Sequence, residues 1–191
     1  MPELPEVETI CRQLAPIVQG RRLARIEILD PRWSAPLAPH ELTDALQGRM
    51  IERLDRRGKY LLWSFSEDVH LAQHLRMTGA VLCEPDGEPR HVGVRMTLGP
   101  ASAKKRKASS RAGGETDLVI VDPRRFGTGE LLLGGDALEQ FFTSRLGLEP
   151  LHERFTAEHL RALARGRTTP IKAFLLDQRR IAGVGNIYAD E

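Results

Sequence analysis

Ile51-Glu52-Arg53-Leu54-Asp55-Arg56-Arg57-Gly58-Lys59-Tyr60-Leu61-Leu62-Trp63-Ser64-Phe65 is the stretch that decides the fold. Two strand-forming runs, Ile51 to Asp55 and Tyr60 to Phe65, flank Arg56-Arg57-Gly58-Lys59, which predicts a β-hairpin. The same texture continues on both sides. Leu23, Ile26 and Ile28 begin it, and His40 to Leu46 interrupts it as a short helix. Val92, Val94, Met96 and Leu98 alternate strictly, and Leu118 to Val121 is a short buried run. From Arg21 to about Leu133 the chain therefore reads as many short strands, the pattern of a β-sandwich or barrel.

The flanks are helical. Val7, Ile10, Cys11, Leu14 and Val18 recur at helical spacing, with Pro5 in the first turn, Glu6 and Glu8 at the positive end and Gly20 as the stop. Pro16 is expected to bend or shorten the last turn, and Cys11 falls on the apolar face. Past Gly134-Gly135, helical spacing appears in Ala137 to Leu146, Ala157 to Ala164 and Ile171 to Gln178, with Thr156 and Thr169-Pro170 as starts. Ile187 to Glu191 begins one more helix. A β-rich unit over 1–134 and an incomplete all-α unit over 135–191 are expected.

Composition narrows the class. At 191 residues, with 41% hydrophobic and 28% charged, the chain can bury a core and is not disordered as a whole. No run approaches a membrane span, and the start, with Pro2, Glu3, Pro5, Glu6 and Glu8, lacks the basic and apolar segments of a secretory signal. A cytoplasmic location is expected. The net charge of +2 does not by itself announce a nucleic-acid binder. Only five basic residues are lysine and 23 are arginine, which fits bidentate phosphate contacts and codon bias equally well. Cys11 and Cys83 form no CxxC pair, which disfavours structural zinc and a disulfide framework. Lys104 to Arg111 holds five cations and no acid, fitting either a solvated insertion or a polybasic arm on a nucleic-acid backbone.

Chemistry is concentrated at the start. Removal of Met1 would leave Pro2 with a free secondary amine of pKa about 8, so roughly a tenth is neutral at pH 7. Such an amine attacks an aldehyde or hemiacetal carbon and forms an iminium. Glu3 and Glu6 stand within one turn as candidate acids, although Pro and Glu here also serve helix capping.

Met1-Pro2-Glu3-Leu4-Pro5-Glu6-Val7-Glu8-Thr9 resembles the start of the formamidopyrimidine-DNA glycosylase family, bacterial repair enzymes for oxidised purines. The resemblance recurs, in order, at Arg57-Gly58-Lys59-Tyr60-Leu61, at His74-Leu75-Arg76-Met77-Thr78-Gly79 and at Asp122-Pro123-Arg124-Arg125-Phe126-Gly127. It continues at Leu146-Gly147-Leu148-Glu149-Pro150-Leu151 and Gly183-Val184-Gly185-Asn186-Ile187-Tyr188-Ala189-Asp190-Glu191. It implies an α+β fold, a sandwich of about eight strands with flanking helices followed by a partial helix-two-turn-helix domain.

The resemblance also implies the roles. Pro2 attacks C1′ of a damaged deoxynucleoside, Glu3 serves as acid and base, Glu6 supports the site, and elimination then breaks the strand. Met77 and Phe126 become the wedge that fills the void left by the flipped base, and Arg124 reaches the orphaned partner base. Lys59, His74, Arg125 and Asn186 match positions near the DNA backbone, with His91 and Lys172 as further members. Read singly, Met77 and Phe126 also fit core filler, His74 an interior histidine and Lys59 a hairpin-tip charge. Gly183-Val184-Gly185-Asn186 is expected to offer backbone N–H groups to a phosphate.

The partner implied is double-stranded DNA carrying oxidised purines or abasic sites, met by a monomer that needs no metal or nucleotide cofactor. The family's lesion-recognition loop and four-cysteine zinc finger would lie beyond residue 191, so a truncated product or a fragment is expected. A non-catalytic DNA-binding remnant is the alternative. The sister branch acting on oxidised pyrimidines, and a tautomerase-like terminal proline base, are more distant rivals.

Overall fold

The computed structural model describes residues 1–100 and 114–191; the basic stretch Lys104 to Arg111 lies outside the described residues. The strands are β1 (Arg21–Ile28), β2 (Met50–Arg57), β3 (Tyr60–Phe65), β4 (Val69–His74), β5 (Ala80–Cys83), β6 (Val92–Leu98), β7 (Thr116–Val121) and β8 (Thr128–Leu133). Among the described residues they form one antiparallel sheet in the order β5-β7-β6-β1-β2-β3-β4-β8.

The sheet becomes a sandwich at β1. Arg21 and Arg22 pair with β2, whereas Leu23 to Ile28 pair with β6, with a register shift between Leu23 and Arg25. One strand thus serves two leaves. A single apolar core joins Trp63, Phe65 and Leu71 of one leaf to Met96, Leu98, Leu118 and Ile120 of the other. Helix α1 (Leu4–Val18) adds Val7, Cys11, Leu14 and Val18 to it, and α2 (Pro39–Leu46) adds Leu42 and Leu46.

The expected hairpin is present. Arg57 pairs with Tyr60, leaving Gly58-Lys59 as a two-residue turn. Gly58 has φ +58°, the left-handed value that this turn position requires and glycine adopts without strain. Strand β4 shows no alternation because all six of its residues are buried. Its second face is covered by α3 (Gly135–Thr143), through Phe141 and Phe142 packed on Tyr60, Leu62 and Ala72.

The remaining helices are α4 (Ala157–Ala164), α5 (Ile171–Leu176) and α6 (Asn186–Asp190). Helix α3 starts earlier than its spacing implies and stops at Thr143, and α5 stops at Leu176 rather than Gln178. The early stop of α5 frees Gln178 for the loop that follows. Its Oε1 accepts the Gly183 N–H at 2.9 Å, and its Nε2 donates to Val184 O at 2.8 Å. That loop returns to the amino terminus.

Candidate active site at the amino terminus

Glu3 stands at the start of α1 and is 1% exposed. Its carboxylate accepts the Gly185 N–H at 2.6 Å, the Ile187 N–H at 2.9 Å and the Tyr188 N–H at 3.4 Å. The first turn of α6 thus supplies hydrogen bonds and a positive helix end to a buried anion. Leu4 N–H donates to Gly183 O at 3.0 Å. The approach is so close that only glycine fits: a Cβ on Gly185 would lie 2.3 Å from Glu3 Cδ, and one on Gly183, at φ +93°, would lie 2.5 Å from Leu4 Cδ1. This narrows the sequence reading of Gly183 to Asn186 as a phosphate cradle: the Gly183 N–H goes to Gln178 Oε1, and the Gly185, Ile187 and Tyr188 N–H groups go to Glu3.

Glu6 is exposed; its Oε2 accepts the Glu3 N–H at 2.8 Å and its Oε1 accepts the Tyr188 hydroxyl at 3.3 Å. Tyr188, which sequence reasoning did not single out, therefore belongs to the site. Lys59 is 4% exposed, not a solvated hairpin-tip charge. Burial pushes its ammonium below the usual lysine range, and the Glu3 charge opposes that shift. Pro2 is half-buried, and Met1, which precedes it, is exposed. Asn186 opens α6 from an exposed position.

Two further turns project from the sandwich. Met77 is 44% and Phe126 52% exposed, so neither is core filler. The Arg124 guanidinium lies 4.9 Å from the centre of the Phe126 ring, a cation–π contact, and Arg124 and Arg125 are both exposed. Buried Asp122 ties the two turns together. Its Oδ1 accepts the Thr78 hydroxyl at 2.5 Å and the Arg124 N–H at 3.1 Å; its Oδ2 accepts the Phe126 and Gly127 N–H groups, each at 2.7 Å. Burial raises its pKa, but the bonds from Thr78, Gly127, Arg124 and Phe126 outweigh that and hold it below the ordinary aspartate value. Asp122 escaped the list of candidate residues, although an aspartate before Pro123 is a signal for a side-chain-stabilised turn.

His74 is buried beneath Arg76. Its Nδ1 accepts the Arg76 N–H at 2.9 Å, which leaves the proton of the neutral ring on Nε2 as a donor. Burial, with the nearby charges of Arg76 and Lys59, brings its pKa down to about 3. The unfolded chain therefore binds a proton near pH 6.5 that the folded chain refuses until about pH 3. Stability from this group is complete above pH 6.5 and falls as pH drops towards 3; at roughly 1.4 kcal/mol per pH unit the upper bound is about 5 kcal/mol. His74→Gln is expected to flatten the stability–pH slope in that window by up to one proton, as read by urea unfolding at stepped pH.

His91 is exposed at φ +60°, and its carbonyl accepts the Asp122 N–H at 3.0 Å. Lys172 pairs with Asp190 at 2.6 Å, joining α5 to α6. A second network anchors the Lys59 turn. Arg56 donates to Glu8 at 2.8 Å and to both oxygens of Glu149 at 2.7 and 2.8 Å, while Glu149 also accepts the Gly58 N–H at 2.7 Å. Neither Arg56 nor Glu149 carries a periodic or compositional signal; only the fold brings them together.

A two-leaf sandwich whose amino terminus is gripped by a following helical segment defines a family. Residues 1–129 match the formamidopyrimidine-DNA glycosylase N-terminal domain and residues 146–191 match the formamidopyrimidine-DNA glycosylase H2TH domain, and the chain belongs to that family. The formamidopyrimidine-DNA glycosylase of Moorella thermoacetica is 44% identical over 193 residues, covering 100% of this chain and 65% of its own length. That of Symbiobacterium thermophilum is 43% identical over 194 residues, covering 100% of this chain and 58% of its own. A solved complex of the Lactococcus lactis enzyme with abasic-site DNA superposes with a TM-score of 0.84 at 34% identity, over 99% of this chain and 65% of that one. The chain thus spans 58–65% of the length of these relatives.

The described residues do not fit a zinc finger of the family's kind. Cys11 is buried with its Sγ 3.5 Å from Leu54 O, and Cys83 lies on β5. No three His, Cys, Asp or Glu side chains converge among the described residues.

Proposed function

We propose that this chain acts in base-excision repair as a bifunctional DNA glycosylase and AP lyase on oxidised purines such as 8-oxoguanine and formamidopyrimidines. The observation that carries the reading is the seat of Glu3, buried beside the chain start on three N–H groups of the 185–188 segment. A carboxylate fixed there can take and return a proton at the sugar without being displaced by water. Once Met1 is removed, the Pro2 nitrogen attacks C1′ and the bond from C1′ to the base breaks. The base leaves with the proton that the Pro2 nitrogen gives up; Glu3 then protonates O4′, the C1′–O4′ bond opens as the nitrogen lone pair forms the Pro2–C1′ iminium, and that iminium acidifies C2′–H. Loss of that proton then expels the 3′ phosphate.

The domain division proposed is 1–134 for the catalytic sandwich and 135–191 for the helix-two-turn-helix portion. Met77 and Phe126 serve as the wedge and Arg124 as the probe of the partner base. Lys59 joins Pro2, Glu3 and Glu6 in the catalytic group, and His74, Arg125, Asn186, His91 and Lys172 face the DNA backbone. His74 suits this task because its neutral Nε2–H donates to a phosphate over the whole physiological range. The proposed steps draw on these side chains alone.

The test is a duplex with one 8-oxoguanine opposite cytosine, incubated with the chain lacking Met1. Scission at the lesion is expected, and Glu3→Gln should slow it by at least about 100-fold, the scale of general acid–base catalysis. Duplex binding without scission would replace this reading with the non-catalytic remnant.

A further inference from the structure

Beneath the two projecting turns lies a cavity of about 20 Å³, lined by Asp30, Trp33, Gln73, Leu75, Asp122 and Gly127 among others. Gln73 is fully buried, and its Oε1 accepts the Trp63 indole N–H at 2.9 Å. That bond fixes which end of the amide is oxygen. The other end, Nε2, has no hydrogen-bond partner among the described residues. An orphaned buried N–H donor costs about 1–3 kcal/mol, so it signals a ligand that accepts.

We infer that one buried water is a built-in part of this region, held by Gln73 Nε2 in the cavity beneath the 74–79 and 122–127 turns. Size suits it: a site needs roughly 10–15 Å³ to hold one water, and the cavity offers about 20 Å³. Charge selects it too. Asp30 and Asp122 on the lining repel an anion, while the Gln73 donor and Arg125 disfavour a cation. A neutral molecule that accepts from an amide and donates to a carboxylate fits both. Asp122 already takes four donors, whereas Asp30 takes three hydrogen bonds, all from Arg32, with Arg125 Nε 3.9 Å from its Oδ2, and keeps one lone pair for the water. The water would join β4 to the end of β1 and give both turns a polar floor, whether or not the chain turns over a lesion.

The test is a crystal structure of the 191-residue chain at better than about 1.6 Å, paired with magnetisation transfer from water to the Gln73 side-chain amide in solution. A discrete peak at hydrogen-bond distance from Nε2, with transfer to that amide, is expected. A dry cavity, or Gln73 turned onto a protein acceptor, overturns the inference. Because Gln73→Leu alone would orphan the Trp63 N–H, the control is Trp63→Phe with Gln73→Leu, in which the peak should vanish. A peak that persists would remove Gln73 as the holder.

Discussion

Gly185→Ala is expected to lower the proposed strand scission by at least about 100-fold while leaving the sandwich folded, since the added methyl strikes the group proposed as general acid and base. A Cβ there would stand 2.3 Å from Glu3 Cδ and 2.5 and 2.7 Å from its two oxygens. Contacts that short cannot be relieved by a rotamer, because Glu3 is 1% exposed and held by three N–H groups. Either the carboxylate leaves its seat or α6 lifts away; in both cases the anion loses its donors. The main core lies on β1 to β7 and on α1 and α2, so its unfolding should change little. Single-turnover scission together with urea unfolding separates the two effects. Scission within about threefold of the parent would show that the seat of Glu3 is not what the chemistry requires.

The second large effect belongs to Asp122→Ala. The substitution strips four donors of their acceptor at once: the Thr78 hydroxyl and the N–H groups of Arg124, Phe126 and Gly127. At about 1 kcal/mol for each lost bond, the folded state should lose roughly 2–4 kcal/mol. The larger consequence is geometric, since Met77 and Phe126 would no longer be held in one arrangement. Affinity for a duplex with an abasic site is expected to fall at least about tenfold, whereas affinity for undamaged duplex, set by phosphate contacts, should move much less. Asp122→Asn keeps one acceptor oxygen and should fall between. Equal losses on damaged and undamaged duplex would show that Asp122 matters for the fold and not for the proposed wedge.

Much of the fold was legible because one face of many elements is buried and the other is not. The strict alternation of Val92 to Leu98 and the helical spacing of Val7 to Val18 each report a half-buried element. Strand β4 was opaque for the opposite reason: the core covers one face, α3 covers the other, and nothing alternates. The end of α5 was misplaced because the Asp177 turn, with Arg180 and Ile181 N–H groups on its carbonyl, stops a helix that propensity would continue.

The site divides along the same physical line. Pro2, Glu3, Lys59, Met77 and Phe126 were readable as residue types in ordered motifs; the structure buries Glu3 and Lys59, half-buries Pro2 and exposes Met77 and Phe126. What pairs with what was not readable. Glu3 meets Gly185 across 182 positions of sequence, and Arg56 meets Glu149 across 93. A glycine turn opening a helix advertises free N–H groups, but sequence does not say whether an external phosphate or an internal carboxylate takes them. Here Glu3 takes those of Gly185, Ile187 and Tyr188, so these three orient a catalytic candidate rather than DNA.

In the proposed reaction the amino terminus itself is the nucleophile. Its most direct test is borohydride trapping of the chain, with Met1 removed, on a labelled duplex carrying one abasic site, followed by mass spectrometry of the adduct. A covalent adduct at Pro2 is the result expected, and it should disappear when Met1 is retained or when Pro2→Gly is made behind an added residue. No adduct, with Met1 removal confirmed and duplex binding measurable, would contradict the claim.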